Sequence, residues 1–264
     1  MRYFRYFRPL LLLILGSAVW AQVPASPSVT RDASALSLLT QSVGAMTTAN
    51  APVLSDLVAE GTCTRWNGAD ESGLVTYSLI RNTASHFEVH LPESTPSWTI
   101  NAGRGFSIDK DGQRHLMHLK NAAKGNWYMP VAYILEALAD ANASVSIDNS
   151  DPTSLSNEDV VILTPAPLPG STLVKDYTDA TRHVVHLDHS THLVTEIDDR
   201  VFLSNDLNSS IPHSLHYSDF REEGGWLLPH AVDEYFGQSL AHAFTFSHFT
   251  INSHLSPTSF AVSQ

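Results

Sequence analysis

The sequence predicts a mainly β fold of the α+β class: a strongly curved antiparallel sheet or incomplete β-barrel, with an N-terminal helix before it and a lid helix inserted part-way. Three observations predict it. Apolar residues recur at helical spacing between 32 and 50, most of the following chain alternates with period two, and one stretch near 131 returns to helical spacing. The order helix, strands, helix, strands suits a concave sheet whose open side is filled by helices.

Before the first helix the chain carries an export signal. Arg2, Arg5 and Arg8 precede a short apolar run at 10–15, and Val19-Trp20-Ala21 places small residues at the two cleavage positions. This reads as a secretory signal peptide over 1–21, its apolar core too short to span a bilayer. Residues 22–31 (QVPASPSVTR) read as a flexible leader, and 32–264 as a single domain, a length common for all-β sandwiches and barrels. The expected location is the periplasm or the cell exterior, with no transmembrane helix and no stable membrane anchor. The single cysteine, Cys63, does not follow the cleavage site, so it offers no lipobox, and alone it makes no internal disulfide. Losing 1–21 removes three arginines and no acid, leaving 12 Lys and Arg against 27 Asp and Glu, a formal charge of −15. That balance excludes nucleic acid as a partner and disfavours anionic membrane surfaces.

Asp32 is placed to cap the first helix, on which Leu36, Leu39, Val43 and Met46 share a face; Pro52 requires it to end near Asn50. Val75, Tyr77 and Leu79 then alternate with Thr76 and Ser78. Beyond Asn82-Thr83, the segment HFEVHL puts Phe87, Val89 and Leu91 on one face. Trp98 and Ile100 continue the alternation, and AGRGFSIDKDGQRHLMHL predicts two strands joined at Asp111-Gly112. The second helix is expected at 131–139, behind Pro130, with Val131, Ile134, Leu135 and Leu138 as its stripe and Tyr133 beside it. Strands follow at 159–164, 183–188, 192–203, 212–222, 226–236 and 243–251, with Gly224-Gly225 marking one hairpin turn.

Residues 183–192, HVVHLDHSTH, come within one residue of the H-x-H-x-D-H zinc pattern of metallo-β-lactamase-like enzymes, Val184 standing where the first His belongs. The metal candidates are His186, Asp188 and His192. A hairpin turning over 189–191 instead sets Val185 and Leu187 inward opposite Thr195 and Leu193, with Asp188 across from His192 on the outer face. Zinc requires three or four ligands converging at about 2 Å, which a flat outer face does not supply, so the hairpin is the reading and no metal or cofactor is expected. His115, His118, His213, His216, His242, His248 and His254 are placed mostly on polar faces or in turns. No G-x-S-x-G, H-E-x-x-H, P-loop or dinucleotide pattern occurs, so an enzyme is not expected.

The order of segments resembles the LolA-like family of periplasmic lipoprotein carriers and the lipoprotein-localisation superfamily around it. LVTYSLIRNTASHFEVHLP is similar to the family's strand–Lys-Arg-Pro–aromatic segment, with Arg81 at the arginine, and PSWTINAGRGFSIDKDG to its strand, Gly turn and aromatic strand running into an Asp. EDVVILTP, VVHLDHSTHLVTEI, YSDFREEGGWLLP and SPTSFAV resemble the later strands in order, so the likeness covers about 32–262. Asn82 departs from the family's proline, and 165–181 is longer than the pattern needs. The resemblance implies a helix-covered incomplete barrel with an apolar inner face for acyl chains, and an arginine at the place of Arg81 that holds the lid shut until ligand displaces it. Strand parity alone aims Arg81 at the apolar face, where lid carbonyls would accept its hydrogen bonds, unless the strand ends first and leaves it at the rim. Candidate lining residues are Trp66, Tyr77, Phe87, Trp98, Ile100 and Phe106; Trp127, Tyr133 and Ile134 belong to the lid segment, and core packing is the plain alternative for each. The expected function is carriage or binding of a lipid or acylated protein ligand, with envelope donor and acceptor proteins as partners. The alternatives are a non-catalytic scaffold or sensor domain that binds a protein, and a metal-dependent enzyme centred on His186, Asp188 and His192.

Overall fold

The computed structural model describes residues 29–122, 127–148, 157–166, 180–202 and 209–261. The expected signal peptide over 1–21, most of the expected leader over 22–31 and most of the 165–181 stretch lie outside the described residues.

Helix α1 spans Ala33–Ala45, capped by Asp32, whose carboxylate accepts from the backbone N–H of Ser34 (2.7 Å) and Ala35 (3.1 Å). It stops short of Asn50 because the chain is captured by the sheet: Thr47 bridges to Trp226, and the N–H of Thr48 donates to the Gly225 carbonyl at 2.8 Å. Six strands follow: β1 Asp56–Arg65, β2 Gly73–Ile80, β3 Ala84–His90, β4 Ser97–Asn101, β5 Arg104–Ile108 and β6 Arg114–Leu116. Two helices, α2 Leu119–Ala122 and α3 Pro130–Ala139, lead to β7 Ser144–Ile147, β8 Glu158–Thr164, β9 His183–Asp188, β10 Val194–Phe202, β11 Ser210–Glu223, β12 Trp226–Phe236 and β13 Ser239–Ile251. A short 3-10 turn, Pro257–Phe260, closes the described chain.

All thirteen strands form one antiparallel sheet in the order β6-β5-β4-β3-β2-β1-β13-β12-β11-β10-β9-β8-β7. Its edges, β6 and β7, do not pair with each other, so the sheet is open, as the alternating pattern predicts. The chain runs outward from β1 to one edge, crosses through α2 and α3 to the other, and returns inward until β13 pairs with β1. The crossing therefore carries α3 over the concave face. Where β1 meets β13 the register shifts at Glu60/Gly61; a Cβ on Gly61 would sit 2.0 Å from the Thr245 carbonyl oxygen, so only glycine allows this approach. No helix among the described residues is long and apolar enough to cross a membrane.

The inner face is apolar because β-strand alternation puts Val75, Tyr77 and Leu79 of β2, Phe87 and Val89 of β3, Val185 and Leu187 of β9 and Phe244 and Phe246 of β13 on one side, all buried. Helix α3 lies in this core with Val131, Ala132, Tyr133, Ile134 and Ala137 buried. It has no side-chain N-cap, only Pro130 in its first turn, so apolar burial, worth roughly 1.5–3 kcal/mol for each large side chain, supplies most of its stability.

At its other end α3 is held by an arginine, but not Arg81. Strand β2 ends at Ile80, and Arg81 opens the turn to β3, half-exposed, with Asn82 in the left-handed region at φ 60°. The turn releases Arg81 from the strand's alternation, so its parity no longer aims it inward. Arg31 makes the contacts with the end of α3 instead. It bridges to Val145 of β7, and its guanidinium donates to the carbonyls of Ala137 (3.3 Å), Leu138 (3.1 Å), Asp140 (2.7 Å) and Ala143 (3.2 Å). These include carbonyls of the last helical turn, which no residue within the helix can satisfy. Replacing Arg31 by Leu is expected to lower the stability of the mature protein by about 2–3 kcal/mol in urea unfolding, with Arg31→Lys recovering less than half because an ammonium cannot span four carbonyls. Arg81→Leu is expected to change it by about 0.5 kcal/mol or less.

Candidate functional site

Five neighbouring strands place a line of polar residues on the largely apolar inner face: His183 on β9, Asp199 on β10, His213 on β11, Glu234 on β12 and His242 on β13, all buried; His230, also buried on β12, packs apart from them against Phe249. The register makes them neighbours. Asp199 stands directly opposite His213, and Glu234 directly opposite His242. His213 bridges the two carboxylates, with Nδ1 2.5 Å from Asp199 Oδ1 and Nε2 2.8 Å from Glu234 Oε1. His242 Nδ1 is 2.7 Å from Glu234 Oε2, and its Nε2 reaches Asn67 Oδ1 at 3.2 Å. At the other end, His183 Nε2 lies 3.6 Å from Asp199 Oδ2.

This ladder anchors the lid segment. Tyr133 of α3 shares a hydrogen bond with His183 Nδ1 at 2.7 Å, and the Tyr128 hydroxyl donates to Glu234 Oε2 at 2.7 Å. The Tyr217 hydroxyl donates to the Trp127 carbonyl at 2.5 Å. Burial opposes charge on His213, but the carboxylates of Asp199 and Glu234 prevail and raise its pKa to about 9. Burial likewise opposes ionisation of Glu234, yet hydrogen bonds from His213 and His242 hold its carboxyl below the ordinary value.

Two cavities flank the lid segment. One, of about 430 Å³, is walled by Trp66, Phe87, Trp98, Tyr128, Phe236 and Phe244, with Glu234, His242 and Asn67 on one side and Asp109, Lys110 and Asp111 on another. Its rings pack on each other: Phe87 and Trp98 are nearly parallel at 5.5 Å, and Tyr128 lies 4.9 Å from Phe87 and 5.6 Å from Trp98. Trp66 lies 4.2 Å from the His242 ring. The other cavity, of about 520 Å³, runs beside α3 between the β3–β4 side and β8, lined by small and apolar residues such as Ala84, Ile100, Tyr133, Ala137 and Leu163. The carboxylate of Glu136 at its wall accepts from the N–H of Asn82 at 2.7 Å.

The residues singled out by sequence divide between these places. Trp66, Phe87 and Trp98 come together in the aromatic cavity, and Ile100 and Tyr133 in the other. Tyr77 is fully buried, its ring 5.6 Å from Tyr128 and 6.0 Å from Phe87. Trp127 packs on Trp98 at 6.5 Å, and Ile134 sits in the core. Phe106 is on the opposite face, paired with Thr99 and lying under the Arg114 guanidinium at 4.2 Å. The cause is the two-residue β4–β5 turn, Ala102 and Gly103 at φ 49° and 74°: pairing Asn101 with Arg104 sets odd residues opposite even ones, so Ser107, not Phe106, faces Trp98.

The metal candidates do not converge. His186 lies between Glu158 (3.2 Å) and Asp198 (3.0 Å) on adjacent strands. Asp188 Oδ1 caps its own turn, accepting from Ser190 and Thr191 through backbone and hydroxyl donors, and His192 takes a left-handed φ of 57°. The register consequently shifts, pairing Leu187 with Val194 and Val185 with Ile197 rather than with Leu193 and Thr195. Among the described residues no three His, Cys, Asp or Glu side chains are placed to hold a metal ion.

His213 and His242, placed on polar faces or in turns by sequence, are core residues. Parity carries the missing signal: His213 shares it with Leu215 and Tyr217, His242 with Phe244 and Phe246, and Glu234 with Val232.

Because His213 binds its proton more tightly in the folded chain than at its unfolded value of about 6.5, the stability it contributes is complete below that pH and lost as pH rises through about 9. Glu234 has the opposite sign: its contribution is present above the ordinary carboxylate range and lost on acidification through its depressed pKa. Unfolding free energy is expected to fall by on the order of 3 kcal/mol between pH 6.5 and 9, and His213→Gln to remove most of that slope while lowering stability at pH 6.5. Urea titrations across this pH range check it.

No protein-family model and no curated protein matches the sequence. Among solved structures, the chain is similar to a LolA superfamily protein from Nitrosomonas europaea, with 14% identity, a TM-score of 0.48, and 89% of this chain and 98% of that one covered. It is also similar to a DUF1329 family protein from Desulfovibrio piger, with 11% identity, a TM-score of 0.45, and coverage of 87% and 96%. Function therefore has to be argued from the cavities and their linings.

Proposed function

We propose that the protein is a secreted, non-enzymatic carrier that holds a lipid or the acyl chain of a lipidated protein between the sheet and the lid segment 127–139. The observation that carries this reading is the pair of cavities at the flanks of the lid segment, one of about 520 Å³ beside α3 lined largely by small and apolar side chains and one of about 430 Å³ beside Tyr128 lined largely by aromatic ones. Their volumes fall within the roughly 300–1,000 Å³ of small-molecule sites. Each methylene moved from water into such a lining gains about 0.8 kcal/mol, so a chain of ordinary length offsets the cost of displacing a helix held by a few hydrogen bonds. In this reading residues 1–21 direct export to the periplasm or exterior, 32–264 act as one domain, and Arg31 with the Tyr133–His183 contact forms the latch in place of Arg81. A scaffold that binds a protein partner would use an exposed patch or a free sheet edge and leave both cavities without a lipid.

Titrating the mature protein, purified without detergent, with a dansyl-labelled fatty acid tests the reading. Saturable binding in the micromolar range is expected. Ser107→Phe fills the aromatic cavity and Ala137→Phe, from α3, the other; the one that fills the occupied space should weaken binding tenfold or more while far-UV circular dichroism stays native. Absence of saturable binding by the parent protein would overturn the proposal, as would binding indifferent to both substitutions.

A further inference from the structure

One wall is common to the two cavities. We propose that they are alternatives: a ligand held in one lowers the affinity of the other, so the protein carries one ligand at a time. This deepens the reading of the cavities as lipid space and rests on it.

The floors of the cavities adjoin. Strand β4 gives Trp98 to the aromatic cavity and Ile100 to the one beside α3, consecutive positions on its inner face and so about 7 Å apart. Strand β3 likewise gives Phe87 to the first and Ala84 to the second. This floor does not yield, because β3 is paired with β2 and β4, and β4 in turn with β5. The opposite wall of both cavities is the lid segment, through Tyr128 on one side and Tyr133, Glu136 and Ala137 on the other. The two tyrosines are only five positions apart, and Pro130, with its fixed φ, opens α3 between them. A push on one side of the segment is therefore felt on the other.

The anchors decide how that wall moves. The Tyr217 hydroxyl donates to the Trp127 carbonyl, the Tyr128 hydroxyl donates to Glu234 at 2.7 Å, and Tyr133 is bonded to His183 at 2.7 Å. Glu234 and His183 belong to one buried ladder, joined through His213 and Asp199. Lifting the segment off the sheet breaks all three bonds and strips Glu234 and His183 of a buried partner each, a cost that hydrocarbon contact does not return. Tilting it sideways releases one anchor and keeps the others, but what one cavity gains in width the other loses. A ligand that needs more room takes it from the neighbouring cavity. Such coupling is reciprocal, so either occupant disfavours the other.

Equilibrium titration with the dansyl-labelled fatty acid, read for stoichiometry as well as affinity, tests the coupling. The parent protein is expected to bind one equivalent, with a second roughly tenfold weaker or more. Ser107→Phe and Ala137→Phe fill different cavities, yet both should weaken the first equivalent. The loss should be roughly tenfold or more for the cavity in use and about fivefold for the empty one, which no longer has room for the wall to move into. Tyr133→Phe keeps the ring and gives up the bond to His183, so the segment lifts more easily. It should bring the second equivalent to within about threefold of the first, as should Tyr128→Phe at the other cavity. A variant that only loosened the fold would weaken binding and add no equivalent; far-UV circular dichroism and urea midpoints identify such a case. Two equivalents of similar affinity in the parent, each removed by one filling substitution, overturn the coupling and leave the lipid reading standing. A single equivalent that one filling substitution abolishes and the other leaves unchanged also overturns it, since only one cavity then works. A second equivalent that stays as weak in both tyrosine variants overturns the shared wall. If the parent binds no probe, both proposals fall together.

Discussion

An open sheet with an apolar concave face must be covered, and here the cover is α3, which the chain lays across that face on its way from one sheet edge to the other. Two kinds of interaction hold it, and their magnitudes differ. Burial of Met129, Val131, Tyr133 and Ile134 contributes roughly 1.5–3 kcal/mol each and supplies most of the attraction. The buried ladder from His183 to His242 adds little net energy, because desolvating Asp199 and Glu234 costs about what their contacts with His213 return. Its effect is positional. Tyr133 and Tyr128 find their acceptors only at one height along the sheet, so the ladder selects where the lid sits, and Arg31 fixes the lid's far end.

That division of labour bears on binding. A lid held mainly by hydrocarbon contact exchanges those contacts for a ligand's hydrocarbon at little cost, provided its polar anchors can be remade or released singly. Such anchors include the Trp127 carbonyl, Tyr128, Tyr133 and Glu136 on the lid segment and the Arg31 guanidinium at its end. The cavities lie where this exchange would occur, one along α3 from Tyr133 to its C-terminal end and one beside Tyr128.

Much of the architecture was legible in the sequence. Period-two alternation located most strands, β9 and β12 at their observed bounds, and Gly224-Gly225 identified the β11–β12 turn. The errors sit where a turn resets parity. The β4–β5 hairpin sent Phe106 to the outer face, and the β2–β3 turn removed Arg81 from the strand. Arg31 was hidden because a short stretch before a helix gives no pattern that shows its pairing with β7. The ladder was legible in principle, since His213, Glu234 and His242 share parity with buried neighbours, but polar residues on an apolar face are read as inward only when a partner is known. Those partners come from adjacent strands, and strand order across β9–β13 is a tertiary fact. Phe87 and Trp98 face the aromatic cavity because their strand parity is inward, whereas Trp66 reaches it from beyond the end of β1, past the register shift between Cys63 and Arg65.

The most direct measurement of the claim that lid and sheet hold ligand space is mass spectrometry of an organic-solvent extract of the protein, expressed from its full sequence and purified without detergent. A lipid or acyl species at close to one equivalent per chain is the expected result, absent from the Ser107→Phe and Ala137→Phe double variant. A parent protein that carries no lipid and takes up none when incubated with an extract of its host's membranes would contradict it, and the space beneath α3 would then be packing imperfection in a filled core.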